Sequence, residues 1–233
     1  MILVKPSFEI LSIMGVAEGG QGVESLQLIE KAGRTCYKSE DKSGAGANVT
    51  AIKFAKMILK NGHESVIEHS AIAVKFICDR GVTHELVRHR LASFSQESTR
   101  YVNYKGGCTF VIPPWVSIGE GEYTETYEPI NPWRAPNWIW FRSMLNAERC
   151  YNELSRSGWS PQQARSVLPN STKTEIVMTT NFREWRHIFE LRCSQAAHPQ
   201  MREIMIPLLE KAKSIIPVIF DDIEIDRAGT KEE

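Results

Sequence analysis

The chain offers no paired cysteines. Cys36, Cys78, Cys108, Cys150 and Cys193 are an odd number spread along 233 residues with no Cys-x-x-Cys spacing. Neither a disulfide framework nor a zinc knuckle is expected, and the thiols read as reduced packing residues. There is no charge excess either: 28 Lys+Arg balance 28 Asp+Glu, for a formal net charge of +0. A generic nucleic-acid binder carries a clear basic surplus, so any anion site here must be local. No apolar run is long enough to span a bilayer, and Met1-Ile2-Leu3-Val4-Lys5-Pro6 lacks the basic-then-apolar order of a leader. These two absences predict a cytoplasmic protein with no membrane partner. Internal repeats and low-complexity tracts are also missing.

A chain that is 42% hydrophobic and 24% charged can bury a sizeable core. Its length predicts one domain over residues 1–233, or one domain with a small subdomain. Alternating, β-branched stretches predict strands over residues 8–14, 69–78, 109–112 and 172–180. In the second of these Ile72, Val74, Phe76 and Cys78 share a face. Three- and four-residue apolar spacing predicts helices over 24–37 and 49–59, the latter stopped by Asn61-Gly62, and over 136–157, stopped by Gly158. Ser160-Pro161-Gln162-Gln163 combines an N-cap serine, a first-turn proline and a glutamine at the third position, with Arg165 in the second turn and Pro169 as terminator. Asn181 with Glu184 predicts a further cap, and its helix carries Arg183, His187 and Arg192 while Trp185, Ile188 and Phe189 face inward. Residues 200–216 form the last predicted helix. Residues 39–48 read as a loop, 119–136 as turn-rich, and the tail from 221 as charged and frayed.

Chemistry is concentrated in Arg88-His89-Arg90-Leu91-Ala92-Ser93-Phe94-Ser95-Gln96-Glu97-Ser98-Thr99-Arg100-Tyr101. Three arginines, a histidine, three serines and a glutamine face a single counter-charge, Glu97. Guanidinium forks and hydroxyl donors in that density suit an anion. Basic residues also suit a helix C-terminus, and Thr83 is placed to cap a short helix running through Arg90. That placement accounts for the arginines at 88 and 90. It leaves the continuation through Ser93, Ser98 and Arg100 unaccounted for. His63 and His69 are six residues apart, whereas zincin ligands are four apart on one helical face, so a zinc site is not expected.

The fixed offsets of Arg88-His89-Arg90, Ser93, Ser98 and Arg100 resemble the signature of the flavin-dependent thymidylate synthases, or thymidylate synthase-complementing proteins. Gly62-His63-Glu64-Ser65 upstream, and Arg165, Asn181-Phe182-Arg183 and Leu191-Arg192 downstream, continue the likeness in the family's order from about residue 24 to 207. Where the usual pattern has Asn this chain has Ser95, and His187 stands where some relatives carry Asn. The resemblance implies reductive methylation of dUMP to dTMP. Methylenetetrahydrofolate would be the carbon donor, released as tetrahydrofolate, and FAD the cofactor, recharged by NADPH.

Carried over by position, Ser65, Arg88, His89, Arg90, Gln96, Asn181, Arg183 and His187 would hold FAD. Glu85, Leu86, Val87, Arg88, Gln96, Glu97, Ser98, Thr99, Arg100, Arg165 and Arg192 would line the nucleotide pocket. Arg192 would be the catalytic arginine, polarising the pyrimidine and favouring charge on its N3 side. No metal is implied, and Ser98 has no histidine-carboxylate relay in reach of the sequence, so it reads as a binding residue rather than a nucleophile. The family forms homotetramers whose sites draw on several subunits. The fold implied is α+β, with a mainly antiparallel central sheet flanked by helices; no Rossmann glycine fingerprint is present.

Two other readings fit part of the pattern. An RNA-binding protein would use Arg88, Arg90, Arg100, Tyr101 and Tyr104 for phosphate and stacking contacts, yet would have no need of Arg165 or Arg192. A nucleotide sensor would keep the pocket and lack turnover.

Overall fold

The computed structural model describes residues 1–17, 20, 22–36, 38–39, 46–124 and 135–225. Strand β1 (Ile2–Val4) lies between β5 (Thr109–Val111) and β6 (Gly121–Glu122). It runs parallel to β5 with Leu3 opposite Phe110, and antiparallel to β6 with Leu3 opposite Gly121. A second sheet has the order β2 (Ser7–Ile13), β3 (Ala71–Asp79), β7 (Lys173–Asn181), β4 (Ala92–Gln96). Its backbone bonds give the directions. Met14 N–H donates to the Ala71 carbonyl, Phe182 N–H to that of Ser70, and Glu97 N–H to that of Glu175, each joining the end of one strand to the start of its neighbour. All three pairings are therefore antiparallel, and the architecture is the expected α+β one with a mainly antiparallel sheet.

The chain divides into two compact units. The first comprises Met1–Ser7, Phe76–Arg88 and Ser95–Ile176, the second Phe8–Lys75, His89–Phe94 and Val177–Glu233. In the first unit helix α4 (Ala135–Arg156) sets Phe141, Met144, Ala147 and Tyr151 on one stripe, buried in a cluster with Leu3, Phe110 and Ile112. Gly158, at φ 93°, follows the helix in the left-handed region that glycine tolerates best. In the second unit α1 (Val23–Thr35) packs on α2 (Ala47–Lys60). A Cβ on Gly33 would stand 2.4 Å from Cζ of Phe54 and 2.9 Å from Cγ1 of Val66, so a larger residue there would have to push those side chains aside. Helix α6 (Phe182–Arg192) buries Trp185, Ile188 and Phe189, as expected, and Trp185 Nε1 donates to the Ile72 carbonyl at 3.2 Å. Helix α7 (Pro199–Ile215) buries Met201, Ile204, Leu208 and Ala212.

Most predicted elements stand within two residues of their expected ends. The helix before the arginine-rich stretch differs. Helix α3 spans Arg80–Leu86 and is capped by Asp79, whose carboxylate accepts from Val82 N–H at 2.8 Å. Thr83 lies inside it, its hydroxyl turned back to the Arg80 carbonyl at 2.9 Å. An Asp four residues earlier outcompetes Thr as a cap, and the helix ends before Arg88. Ala92–Gln96, within the motif itself, forms strand β4. The predicted helix around Arg165 also breaks: α5 (Pro161–Ala164) keeps the capping box, and Arg165–Val167 tightens into a 3₁₀ turn. Pro169 disfavours a helical conformation at Leu168, which is extended at ψ 129°. Residues 47 and 48, expected in a loop, already belong to α2.

Other expectations fall partly on residues outside the described set: 18, 19, 21, 37, 40–45, 125–134 and 226–233. Among the described residues no helix is long and apolar enough to cross a membrane.

Candidate active site

The second unit places one group of the expected residues on and around α6. Strand β7 runs directly into this helix, and the Asn181 side chain accepts from Glu184 N–H at 2.9 Å, so the helix start is fixed by a side-chain cap. The buried face leaves Arg183 and His187 exposed four residues apart, with Glu184 and Arg192 at its margin. His89 packs here and is only 5% exposed. Arg192 Nε–H donates to His89 Nε2 at 3.1 Å, Glu184 Oε1 lies 3.5 Å from His89 Nδ1, and the His187 ring meets that of His89 edge-on at 6.1 Å. Burial first, then the charges of Arg192 and His187, push the His89 pKa down from the usual 6.5 to about 4. The ring is neutral at working pH.

Arg183 is engaged by carboxylates, with Nη1 2.7 Å from Glu68 and Nε 3.7 Å from Glu64. Those contacts raise its pKa, the bond to Glu68 most. Ser65 is exposed in the 3₁₀ turn Glu64–His69 and lines an open cavity of about 810 Å³ with Arg34, Phe54, Met57, Ile58 and His63. Arg90 is exposed, and among the described residues its guanidinium has no hydrogen bond or ion pair.

The first unit holds the other group. After β4 the chain turns through Glu97–Tyr101, where the Ser98 carbonyl accepts from Tyr101 and Val102 N–H and the Ser98 hydroxyl from Arg100 N–H. Thr99 is buried, and Arg165 Nη1 donates to its hydroxyl at 3.2 Å. These two residues line an open cavity of about 460 Å³ with Arg80, His84, Gln162 and Asn170, and among the described residues no carboxylate contributes to its lining. That is an anion-binding chemistry. Arg88 and Arg100 are exposed, and neither guanidinium has a carboxylate partner among the described residues; Arg100 lies over the Tyr101 ring at 5.4 Å.

Several motif side chains instead face the interior of the first unit. Gln96 Nε2 donates to Thr83 Oγ1 at 3.1 Å and Thr174 Oγ1 at 3.3 Å, leaving its amide oxygen for another partner. The Glu97 carboxylate accepts from the Tyr104 hydroxyl at 2.6 Å and from Lys173 at 3.2 Å, and Lys173 also reaches Glu175 at 2.6 Å. Burial, then the bond to Glu97, raises the Tyr104 pKa; burial opposes but does not cancel the rise that Glu175 and Glu97 impose on Lys173. Leu86 is fully buried, so only its backbone is available to a ligand, while Val87 is exposed and Glu85 half-buried. The sequence gives no sign of this role for Lys173 or Tyr104. Lys173 leads a strand whose alternation signalled packing alone, and Tyr104 read as a possible base-stacking ring.

The sequence matches the family model described as thymidylate synthase complementing protein over residues 22–218. The flavin-dependent thymidylate synthase of Corynebacterium efficiens is 35% identical over 206 residues, covering 85% of this chain and 80% of that one. That of Corynebacterium glutamicum is 36% identical over 213 residues, covering 88% and 82%, and that of Mycobacterium tuberculosis 34% over 212 residues, covering 90% and 82%. In fold, the chain resembles the UMP/dUMP methylase PolB from Streptomyces cacaoi bound with 5-Br dUMP, at a TM-score of 0.71 and 24% identity with 94% of this chain and 95% of that one covered. With a family model spanning most of its length and relatives above 30% identity along it, the chain belongs to the thymidylate synthase complementing protein family.

Proposed function

We propose that the protein is a flavin-dependent thymidylate synthase that converts dUMP to dTMP. Methylenetetrahydrofolate donates the carbon and leaves as tetrahydrofolate, and NADPH recharges the flavin. One observation carries the reading beyond family membership: in a chain of zero formal net charge, Arg88, Arg90 and Arg100 lie exposed without a carboxylate partner among the described residues. Unpaired guanidinium groups concentrated in one short stretch suit phosphate-bearing ligands.

The residues fit FAD by their chemistry. Ser65 beside the apolar walls of Phe54, Met57 and Ile58 suits a flat aromatic ligand, while Arg90, Asn181, Arg183 and His187 supply donors for its polar edge and pyrophosphate. Arg88, His89 and Gln96 complete that set on the family's pattern. Bound FAD would supply the reducing equivalents. The chain's own residues bind and charge the substrates. Arg165, Thr99, Ser98 and Arg100 take the nucleotide's phosphate and sugar, with Glu85, Leu86, Val87, Arg88, Gln96 and Glu97 contributing side chains or backbone around it. Glu97 acts from behind, its carboxylate holding Lys173 and Tyr104. Arg192 polarises the pyrimidine carbonyl so that negative charge at N3 is stabilised as the ring reacts.

The remaining proposals are a single family domain over residues 1–233, a homotetramer with sites shared between subunits, and a cytoplasmic location. The test is direct. Purified protein mixed with dUMP, methylenetetrahydrofolate and NADPH should form dTMP and show flavin absorbance; a colourless protein that forms none refutes the reading.

A further inference from the structure

We propose that Tyr104 and Lys173 are positioning residues for the nucleotide: acting through Glu97, they clasp the turn that presents Ser98, Thr99 and Arg100, a role that rests on the nucleotide assignment above. Glu97 follows directly on β4, and its N–H donates to the Glu175 carbonyl at 2.8 Å. Its carboxylate has one donor for each oxygen. The Tyr104 hydroxyl lies 2.6 Å from Oε1, and Lys173 Nζ 3.2 Å from Oε2. A carboxylate only accepts, so the phenol must carry its proton; burial first, then the bond to Glu97, raises the Tyr104 pKa and keeps the proton there.

Glu97 and Tyr104 are thereby joined across seven residues of sequence, and the chain between them is a closed loop. Both of its ends are anchored in the first unit. Tyr104 is 9% exposed, its ring meets that of the fully buried Tyr151 edge-on at 5.7 Å, and its N–H donates to the Tyr151 hydroxyl at 3.3 Å. Lys173, the first residue of β7, also reaches Glu175 at 2.6 Å. One ammonium therefore serves two carboxylates, whose like charges would otherwise repel and loosen the anchored end. Within the loop the Ser98 carbonyl accepts from Tyr101 and Val102 N–H, and the buried Thr99 takes the bond from Arg165 at 3.2 Å. Ser98 and Arg100 owe their direction to this closure rather than to a helix or strand. Donors that converge on one phosphate must be held to within about 0.5 Å, and the clasp supplies that precision.

The experiment is calorimetric titration of the full chain with dUMP, alongside amide hydrogen exchange of residues 98–103 without nucleotide. Tyr104→Phe and Lys173→Met should each raise the dUMP Kd by about tenfold, the scale of one hydrogen bond, and speed exchange in the loop. Bound flavin, and kcat at saturating dUMP, should change by less than about twofold. Lys173→Arg keeps a cation between the two carboxylates and should recover most of the affinity. Added to Glu97→Ala, Tyr104→Phe should weaken binding little further, since its partner is already gone. A lowered thermal midpoint with unchanged dUMP affinity would make the network ordinary packing and overturn the proposal, as would an additive loss in the double variant. Unchanged exchange in residues 98–103 of both single variants overturns it even in a protein that binds no dUMP, whose failure to bind would refute the assigned substrate instead.

Discussion

Arg192 donates through Nε to Nε2 of His89 at 3.1 Å, across 103 residues of sequence. The bond joins the arginine-rich motif to the end of α6, two stretches whose spacing alone gives no sign of contact. It also makes the protonation state of a histidine a condition for the orientation of an arginine, since the bond exists only while Nε2 is bare.

The pH dependence of stability follows from that histidine. Its folded pKa, about 4, lies below the ordinary 6.5, so the unfolded chain takes up the proton first as pH falls. The contribution is whole above about 6.5, declines between 6.5 and 4, and is gone below. The full shift corresponds to no more than about 3 kcal/mol, less whatever hydration the folded site retains. Thermal midpoints of the wild type and His89→Gln should therefore converge across this interval. Parallel curves would show that His89 is not held neutral by the fold.

Replacement of Arg192 by alanine should remove dTMP formation and leave flavin bound. The guanidinium is assigned to charge that develops on the pyrimidine, and the loss of such a donor costs roughly 10²–10³ in kcat. Absorbance of the purified variant checks the flavin, and turnover checks the role; near-normal turnover is the outcome that sinks it.

Arg165→Ala should weaken nucleotide binding. The side chain lines the cavity in the first unit and holds Thr99 Oγ1 at 3.2 Å, so its loss removes a cation and loosens a buried hydroxyl together. A charge-assisted bond of this kind is worth about 1.5–3 kcal/mol. Calorimetric titration with dUMP should show the corresponding rise in Kd, and an unchanged Kd removes Arg165 from the nucleotide pocket.

Legibility in the sequence tracked how local the cause was. Asn181 as a cap, the inward set Trp185, Ile188 and Phe189, and the Ile72, Val74, Phe76, Cys78 face depend on residues within a turn or on strand alternation, and each stands as read. Thr83 and Asp79 are both cap residues by type and only the backbone position of the first turn selects Asp79, while the turn at Arg165 obeys a proline four residues on. What sequence could not supply was direction. Glu97 sits in the motif beside Ser98, yet its carboxylate turns inward to Tyr104 and Lys173, a partner 76 residues away. Arg183 and Arg90 read alike as cations, but Glu64 and Glu68 engage only the first.

Arg186 offers a test of the frame that carries α6, separate from any ligand. Its residue is 7% exposed, and Nη1 and Nη2 make a two-pronged pair with Asp222 at 2.6 and 2.7 Å. Nη1 also donates to the Ile219 carbonyl at 2.6 Å. The bond to Asp222 foremost, against the opposing effect of burial and with the charges of Asp222, Glu64 and Glu190, raises the Arg186 pKa, and the same bond lowers that of Asp222. The helix is thereby tied to the segment after α7, beside Phe220, which meets both Phe182 and Phe189 edge-on. Asp222 is largely solvated, so removing the arginine strands a hydrated carboxylate and one buried carbonyl rather than an isolated buried charge. The cost of Arg186→Ala should therefore fall near or below the lower end of the 3–5 kcal/mol typical of a broken buried pair, about 3 kcal/mol. Arg186→Met keeps the stem's packing and should recover about 1 kcal/mol of that. Urea unfolding of both variants measures it. Equal and negligible losses would mean that the pair contributes nothing and that α6 is held by its aromatic face alone.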